Sequence, residues 1–280
     1  MTALNFNRIA KVEVETSNGL IIIEGLDMDF NVDFYAGETA NAAVVNIKNL
    51  SELTRNNIQE LNAEVSLFCG YSENTGYELL FKGQAQYVFT EKVGVDINTR
   101  IECQDAVQVL RQENAILNFT TNTPAKHVLD EIARLFGVPV KFITDVNEYY
   151  PLGYAFSGKL KDALNEVTKR FGLTWNFING ELVILRLLEN LNGDALLITP
   201  ETGLIGSPSP IIYQGGLLDE NTKEGQPVLQ IQTLLLPKIK PADLILLQSL
   251  QNDGQYSVVN VSHDGSTYGN NWYSTLELRQ

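Results

Sequence analysis

His127 and His263 are the only imidazoles in a chain of 280 residues, and imidazole is the commonest general base and metal ligand near neutral pH. His127 falls in the first turn of an expected helix. His263 precedes Asp264-Gly265, which reads as a hairpin tip where turn chemistry explains all three residues. Neither has a partner at metal-ligand spacing, so no metal is expected. Asp27, Asp29 and Asp33 share parity along an alternating stretch. A calcium site needs oxygens converging from a loop, so a solvated strand face is expected instead. Glu131 and Glu166 have the residue type of a glycosidase pair. They occupy matching positions in a repeated segment, which implies one structural role used twice, on the solvent side of two helices. Cys69 and Cys103 sit in apolar, strand-like runs and read as buried, reduced thiols. The chain has no G-x-S-x-G elbow and no phosphate-cradling loop; "GLIGSPSP" lacks both a lysine and a helix behind it and reads as loop. Trp175, Tyr149 and Tyr150 could stack on a sugar, but core packing and a loop cluster account for them. Asn118-Phe119-Thr120 is formally a glycosylation acceptor, without meaning in a cytoplasmic chain. Arg55 follows a helix start, where it is either a surface residue or one that reaches a neighbouring subunit. The expectation is a protein with no catalytic residues, no cofactor and no enzymatic activity.

The elements that would carry these residues divide the chain in three. Residues 1–115 read as a first β domain. A hairpin turns at Ser17-Asn18-Gly19, and strict alternation puts Phe30, Val32 and Phe34 on one strand face, with the pattern continuing past Gly37. Ser51 is a plausible N-cap for a short helix with Leu53, Ile58 and Leu61 at helical spacing. Residues 116–190 change texture. "HVLDEIARLFGVPVKF" and "DALNEVTKRFGLTWNF" are two copies of a helix–turn–strand unit. Val128, Ile132, Leu135 and Phe136 form the apolar stripe of one copy; Leu164, Val167 and Phe171 form that of the other. Each helix stops at a glycine, Gly137 or Gly172, placed to go left-handed. A hairpin turning at Asn179-Gly180 closes the second copy, and the pair is expected to pack as one small α/β domain. Residues 191–280 return to β. "AVVNIKNL" resembles "VLQIQTLL", "AEVSLFCG" resembles "ADLILLQS", "KGQAQYVFTEK" resembles "DGQYSVVNVSH", and "NTRIECQ" resembles "YSTLELRQ", in the same order. The fold class expected is therefore α+β, mainly β: two similar small barrel or tube-type β domains flanking the α/β unit.

Composition narrows the partners. There are 34 acidic against 20 basic residues, a formal charge of −14. Such a surface repels nucleic acid and anionic lipid, so neither specific nucleic-acid binding nor membrane insertion is expected. Two cysteines make no disulfide framework. The N-terminus "MTALNFNRIAKVEVE" has no apolar signal region, which points to synthesis in the cytoplasm and exit only with an assembly or after lysis.

The order of these patterns over nearly the whole chain resembles phage baseplate hub proteins. "FNVDFYAGETANAAVVNIKNLSELTRNNI", then "VSLFCGY", "LLFKGQAQ" and "IECQD", resemble their opening. "YAFSGKLKDALNEVTKRFGLTWNFINGELVIL" is similar to their middle domain, and "LLLPKIKPADLILLQS" with "GQYSVVNVSHDGSTYGNNWYSTLEL" to their closing tube domain. The resemblance implies a virion protein, assembled in the host bacterial cytoplasm, that forms a homotrimer at the distal end of a phage tail. Each subunit would contribute two tube domains to a ring of pseudo-sixfold symmetry. The ring would join the sixfold tail tube, or tube initiator proteins, to the threefold central spike and leave a lumen for DNA. The α/β unit would face outward, toward baseplate wedge or arm proteins. The alternatives are the equivalent ring of a type VI secretion or other contractile injection spike, and a tail-associated wall hydrolase or glycan-binding module.

Overall fold

The computed structural model describes residues 7–35, 40–60, 62–105, 114–186, 195–212 and 227–280. Its first elements follow from alternation. β1 (Arg8–Thr16) and β2 (Gly19–Glu24) form a hairpin, with Thr16 opposite Gly19. β3 (Met28–Tyr35) buries Met28, Phe30, Val32 and Phe34 and leaves Asp29, Asn31 and Asp33 half-buried on the other face. Asp27, just ahead of this strand, keeps the same parity: it is half-buried and pairs at 2.6 Å with Lys48, which shares the β4 face of Asn46, the residue opposite Asp29. After β4 (Ala42–Lys48) comes α1 (Glu52–Asn57). The Ser51 hydroxyl accepts from the Thr54 N–H at 3.1 Å, the expected N-cap. The helix itself buries nothing; Ile58, just past its end, enters the core while Leu53 stays exposed. Leu61 and Gly37 lie outside the described residues. β5 (Glu64–Tyr71), β6 (Gly76–Val93) and β7 (Asp96–Gln104) complete the first run.

The middle segment holds β8 (Asn114–Phe119), β9 (Thr123–Pro124), α2 (Ala125–Phe136), β10 (Val140–Phe142), β11 (Tyr149–Tyr150), β12 (Tyr154–Lys159), α3 (Leu160–Arg170), β13 (Leu173–Ile178) and β14 (Glu181–Arg186). α2 and α3 pack on each other over one apolar core of their own. Gly137 and Gly172 sit at φ +73° and +63°, the left-handed stop expected of them. Asn179 and Gly180, at φ +53° and +87°, make the tight turn between β13 and β14. The buried stripe of α2 is Ala125, Val128, Leu129, Ile132 and Ala133. Leu135, expected in that stripe, lies in the last turn of the helix and is exposed.

The chain then runs through β15 (Leu196–Ile198), β16 (Leu204–Ile212), β17 (Pro227–Leu234), β18 (Leu244–Leu247), β19 (Gly254–Ser266) and β20 (Trp272–Arg279). The stretch "GLIGSPSPII" is a strand and not the loop its composition suggests. Its prolines are tolerated because β16 is an edge strand, and its pairing with β17 shifts register between Ile205 and Ser209. Residues 213–226 lie outside the described residues.

Among the described residues, thirteen strands join in one sheet whose main path is β16-β17-β20-β19-β3-β4-β7-β6-β5-β1-β2, with β18 and β15 attached beside β19. Among these residues the sheet is open: β16 and β2 end it, and the two closed barrels the sequence suggests are not formed by them. One apolar core runs from β1 through β20, so the two β runs share an interior. Within the path an order recurs. β3-β4-β7-β6-β5 are neighbours in the first run, and β16-β17-β20-β19-β18 are neighbours in the last. The details recur too. β6 shifts register on β7 between Ala85 and Tyr87, and β19 shifts on β20 between Val258 and Asn260. Asn62 and Ala242, at φ +62° and +73°, donate to the carbonyls of Ala85 and Val258 at 2.9 and 2.8 Å. The N–H groups of Ala85 and Val258 return to Ala63 and Asp243, each at 2.9 Å.

Candidate functional site

Three regions of the described surface and interior stand out. The first is the far half of β6. β5 pairs with β6 only as far as Gln84, so beyond it β6 has β7 on one side and, among the described residues, no strand on the other. Along this half Tyr87 and Phe89 are 52% and 43% exposed, and their rings stack with centroids 6.2 Å apart and planes 11° from parallel. Val93 and Val95 extend the apolar exposure to the hairpin tip at Gly94. The second is the free edge of β16, where Ile212 is 66% exposed.

The third is the joint between the sheet and the α/β unit. Asp105 closes the first β run and is buried, as is Asn41. Asn41 donates to the Asp105 carboxylate from its backbone N–H (2.9 Å) and its amide (2.6 Å), and that amide also reaches the Phe177 carbonyl at 2.7 Å. The Lys82 N–H donates to Asn179 Oδ1 at 3.1 Å. Burial pushes the Asp105 carboxyl up to about 7 against the opposing pull of the Asn41 hydrogen bonds. A second buried polar centre ties the two β runs together. Lys240 Nζ donates to the carbonyls of Leu80 (2.9 Å) and Pro237 (2.8 Å) and lies 4.0 Å from the centre of the Phe34 ring. Burial pulls its amine down to about 7.

The residues singled out for chemistry do not converge. His127 is exposed, edge-on to Phe119 at 5.6 Å. His263 is not at a hairpin tip: it lies inside β19, fully buried, opposite Val32 and Ser274, with Nδ1 2.8 Å from the Ser274 hydroxyl. The alternation of Val261, His263 and Gly265 continues the strand, and the turn falls past Ser266. Burial lowers its imidazole well below the usual range. Glu131 pairs with Arg134 on its own helix at 2.7 Å, and Glu166 is exposed on the other. Cys69 and Cys103 are buried free thiols, and burial raises both, Cys103 to about 12. Trp175 is buried with its indole N–H on Asn165 Oδ1 at 2.8 Å, and Tyr150 is buried, so Tyr149 alone is exposed and no sugar platform exists. Arg55 donates to the Leu50 carbonyl at 2.5 Å. Among the described residues, no three of His, Cys, Asp and Glu converge on a point, and no helix is long and apolar enough to cross a membrane. Sequence reasoning missed Lys240 and the Asn41–Asp105 joint. The only available signal was Lys240 itself, a lysine set among mostly apolar neighbours; Asp105 follows the mixed run "RIECQ" and carries none.

This fold has relatives. A tail protein from Neisseria meningitidis superposes with a TM-score of 0.69 over 97% of this chain and 96% of its own, at 10% identity. A 43 kDa tail protein of a Shewanella oneidensis prophage gives 0.67 over 97% and 98%, also at 10% identity. An E. coli component of the type VI secretion system gives 0.61 over 90% and 73%, at 12% identity. At these identities the likeness is one of fold. No curated protein matches the chain. The family model described as baseplate hub gp41 matches residues 9–277. With that match running almost from end to end, the chain belongs to the baseplate hub gp41 family, structural components of phage tails.

Proposed function

We propose that the protein is a ring-forming baseplate hub that acts by geometry and not by catalysis. Three copies, each carrying two tube-type β domains (residues 1–115 and 191–280) around an α/β domain (116–190), would form a ring with six similar units. One face would then match a sixfold tail tube and the other a threefold spike. The observation that carries this reading is the strand order that occurs twice in one chain, down to the register shift and the left-handed Asn62 and Ala242. A closed ring of heterologous contacts also covers the sheet edges that a single open sheet leaves free.

The net charge fits a conduit. Three copies carry 3 × (−14) = −42, and an acidic lumen lets DNA slide through without releasing counterions and sticking. The α/β domain, with its separate core, is free to face outward toward other baseplate proteins. Assembly in the host cytoplasm belongs to the same reading, since a tail component joins the virion before release. Electron microscopy of the tail tip tests the reading. Three copies per ring around an acidic channel are expected; a different copy number, or a channel lined by Lys and Arg, overturns it. A second reading is the equivalent ring of an injection machine. It draws on the type VI secretion component above and on complexes described as PdpA–VgrG from Francisella, all of similar fold. Localisation of the protein in purified virions separates the two.

A further inference from the structure

The way this chain joins its own two β runs gives a template for joining copies, on the ring reading above. Inside the chain, β19 pairs with β18 at its start, from Gly254 to Ser257. Its far half, Asn260–Ser266, is taken by β3, the leading strand of the other run. The recurring order makes β6 the counterpart of β19, and β16 the counterpart of β3. β6 likewise pairs with β5 at its start and shifts register at the same place. Among the described residues its far half has no strand on the side away from β7, and β16 has a free edge. Each copy therefore holds one filled junction and the two halves of an unfilled one.

We propose that the free edge of β16 of one copy pairs antiparallel with the Tyr87–Val93 stretch of β6 of the next copy, in the register that β3 and β19 use within the chain. The ladder partners give the alignment. Val261 and Val88 sit opposite Leu276 and Ile101, and Asp33 and Ile211 opposite Ala42 and Val228. The internal pairs Val261–Phe34, Ser262–Asp33 and Asp264–Asn31 then become Val88–Ile212, Phe89–Ile211 and Glu91–Ser209 between copies. The side chains fit a contact between copies. Ser262 and Asp33 are replaced by Phe89 and Ile211, an aromatic facing a β-branched residue, a favourable cross-strand pair. Ile212 stands where Phe34 is wholly buried, yet it is exposed in the single chain. Pro210 has no N–H to give either neighbour and Pro208 lies in the register shift, so this edge is a poor template for unselective pairing. The contact is head-to-tail, as ring closure requires.

The test is a disulfide. Opposed residues in an antiparallel pair lie about 4.5–5.5 Å apart at Cα, inside the range a disulfide bridges. Tail tips assembled with the Phe89→Cys, Ile211→Cys chain are oxidised and run without reductant. Cys69 and Cys103, buried, stay out of the reaction. The expected result is a ladder that ends at three chains. Val93→Cys with Ile211→Cys, which this register holds about 13 Å apart, gives no ladder. Three-copy rings seen by microscopy with no bond at 89–211, or a bond closing within one chain, overturn the edge pairing and leave the ring reading standing. A copy number other than three defeats both. Phe89→Asp, at an exposed position, is expected to keep the melting curve of the free chain and lose incorporation into tails; normal incorporation counts against the pairing.

Discussion

Asp105 and Lys240 are the residues most exposed to a change of pH, because each is an ionisable group held where water cannot reach. The Asp105 carboxyl, pushed up to about 7, keeps its proton in the fold when the unfolded chain has lost it. The folded state binds the extra proton between about pH 4 and 7, so stability falls as pH rises across that window. Asp105→Asn is expected to flatten this slope in denaturant titrations at a series of pH values. It should also cost about 1–3 kcal/mol at acid pH, since one Asn41 donor then faces an amide donor. Lys240 behaves in the opposite sense. With its amine pulled down to about 7, the unfolded chain binds the extra proton from about pH 7 to 10, and stability rises with pH there. Lys240→Met is expected to remove that rise, measured the same way. His263, held neutral by burial, works against the Asp105 trend below its ordinary range, so the single variants and not the whole-chain curve separate the contributions.

At the scale of elements, the contact between β3 and β19 is the seam of the molecule, and Gly265 marks its tightest point. A Cβ there would stand 2.1 Å from the Phe30 ring, which lies across the strand and edge-on to Trp272 at 5.6 Å. Gly265→Ala is therefore expected to destabilise by about 1–3 kcal/mol, read as a drop in the denaturation midpoint. The joint to the α/β unit hangs on fewer bonds. Asn179 supplies both a left-handed turn residue and the acceptor for the Lys82 N–H. Asn179→Ala is expected to cost about 1–2 kcal/mol and to raise hydrogen exchange at Lys82 more than at other amides of β6.

At the scale of the whole molecule, the open sheet is the decisive fact. On the ring reading, the free edges left among the described residues beside a repeated junction are where another copy would continue the sheet. Concentration-dependent light scattering on the free chain is expected to show association toward the mass of three chains. Added salt should strengthen it by screening the repulsion between chains of charge −14. Association weakened by salt would mean that attractive ion pairs, and not sheet edges and apolar side chains, hold the copies together.

Much of this molecule is written locally. Alternation placed β3 and its buried Phe30, Val32 and Phe34, and the stops at Gly137 and Gly172 and the turn at Asn179-Gly180 were legible because backbone conformation at those points depends on the residue itself. The order of the similar strands was legible too, but not their phase. The matching of "AEVSLFCG" with "ADLILLQS" sets Ala63 against Ala242, whereas the hydrogen bonds set it against Asp243, and a slip of one exchanges the two faces of a strand. Edge, joint and seam belong to the tertiary structure. Whether "GLIGSPSPII" is loop or edge strand, whether His263 is tip or core, and whether Lys240 meets water all depend on which distant strand lies alongside. Such contacts are set by packing between segments far apart in the chain, and no run of neighbouring residues encodes them.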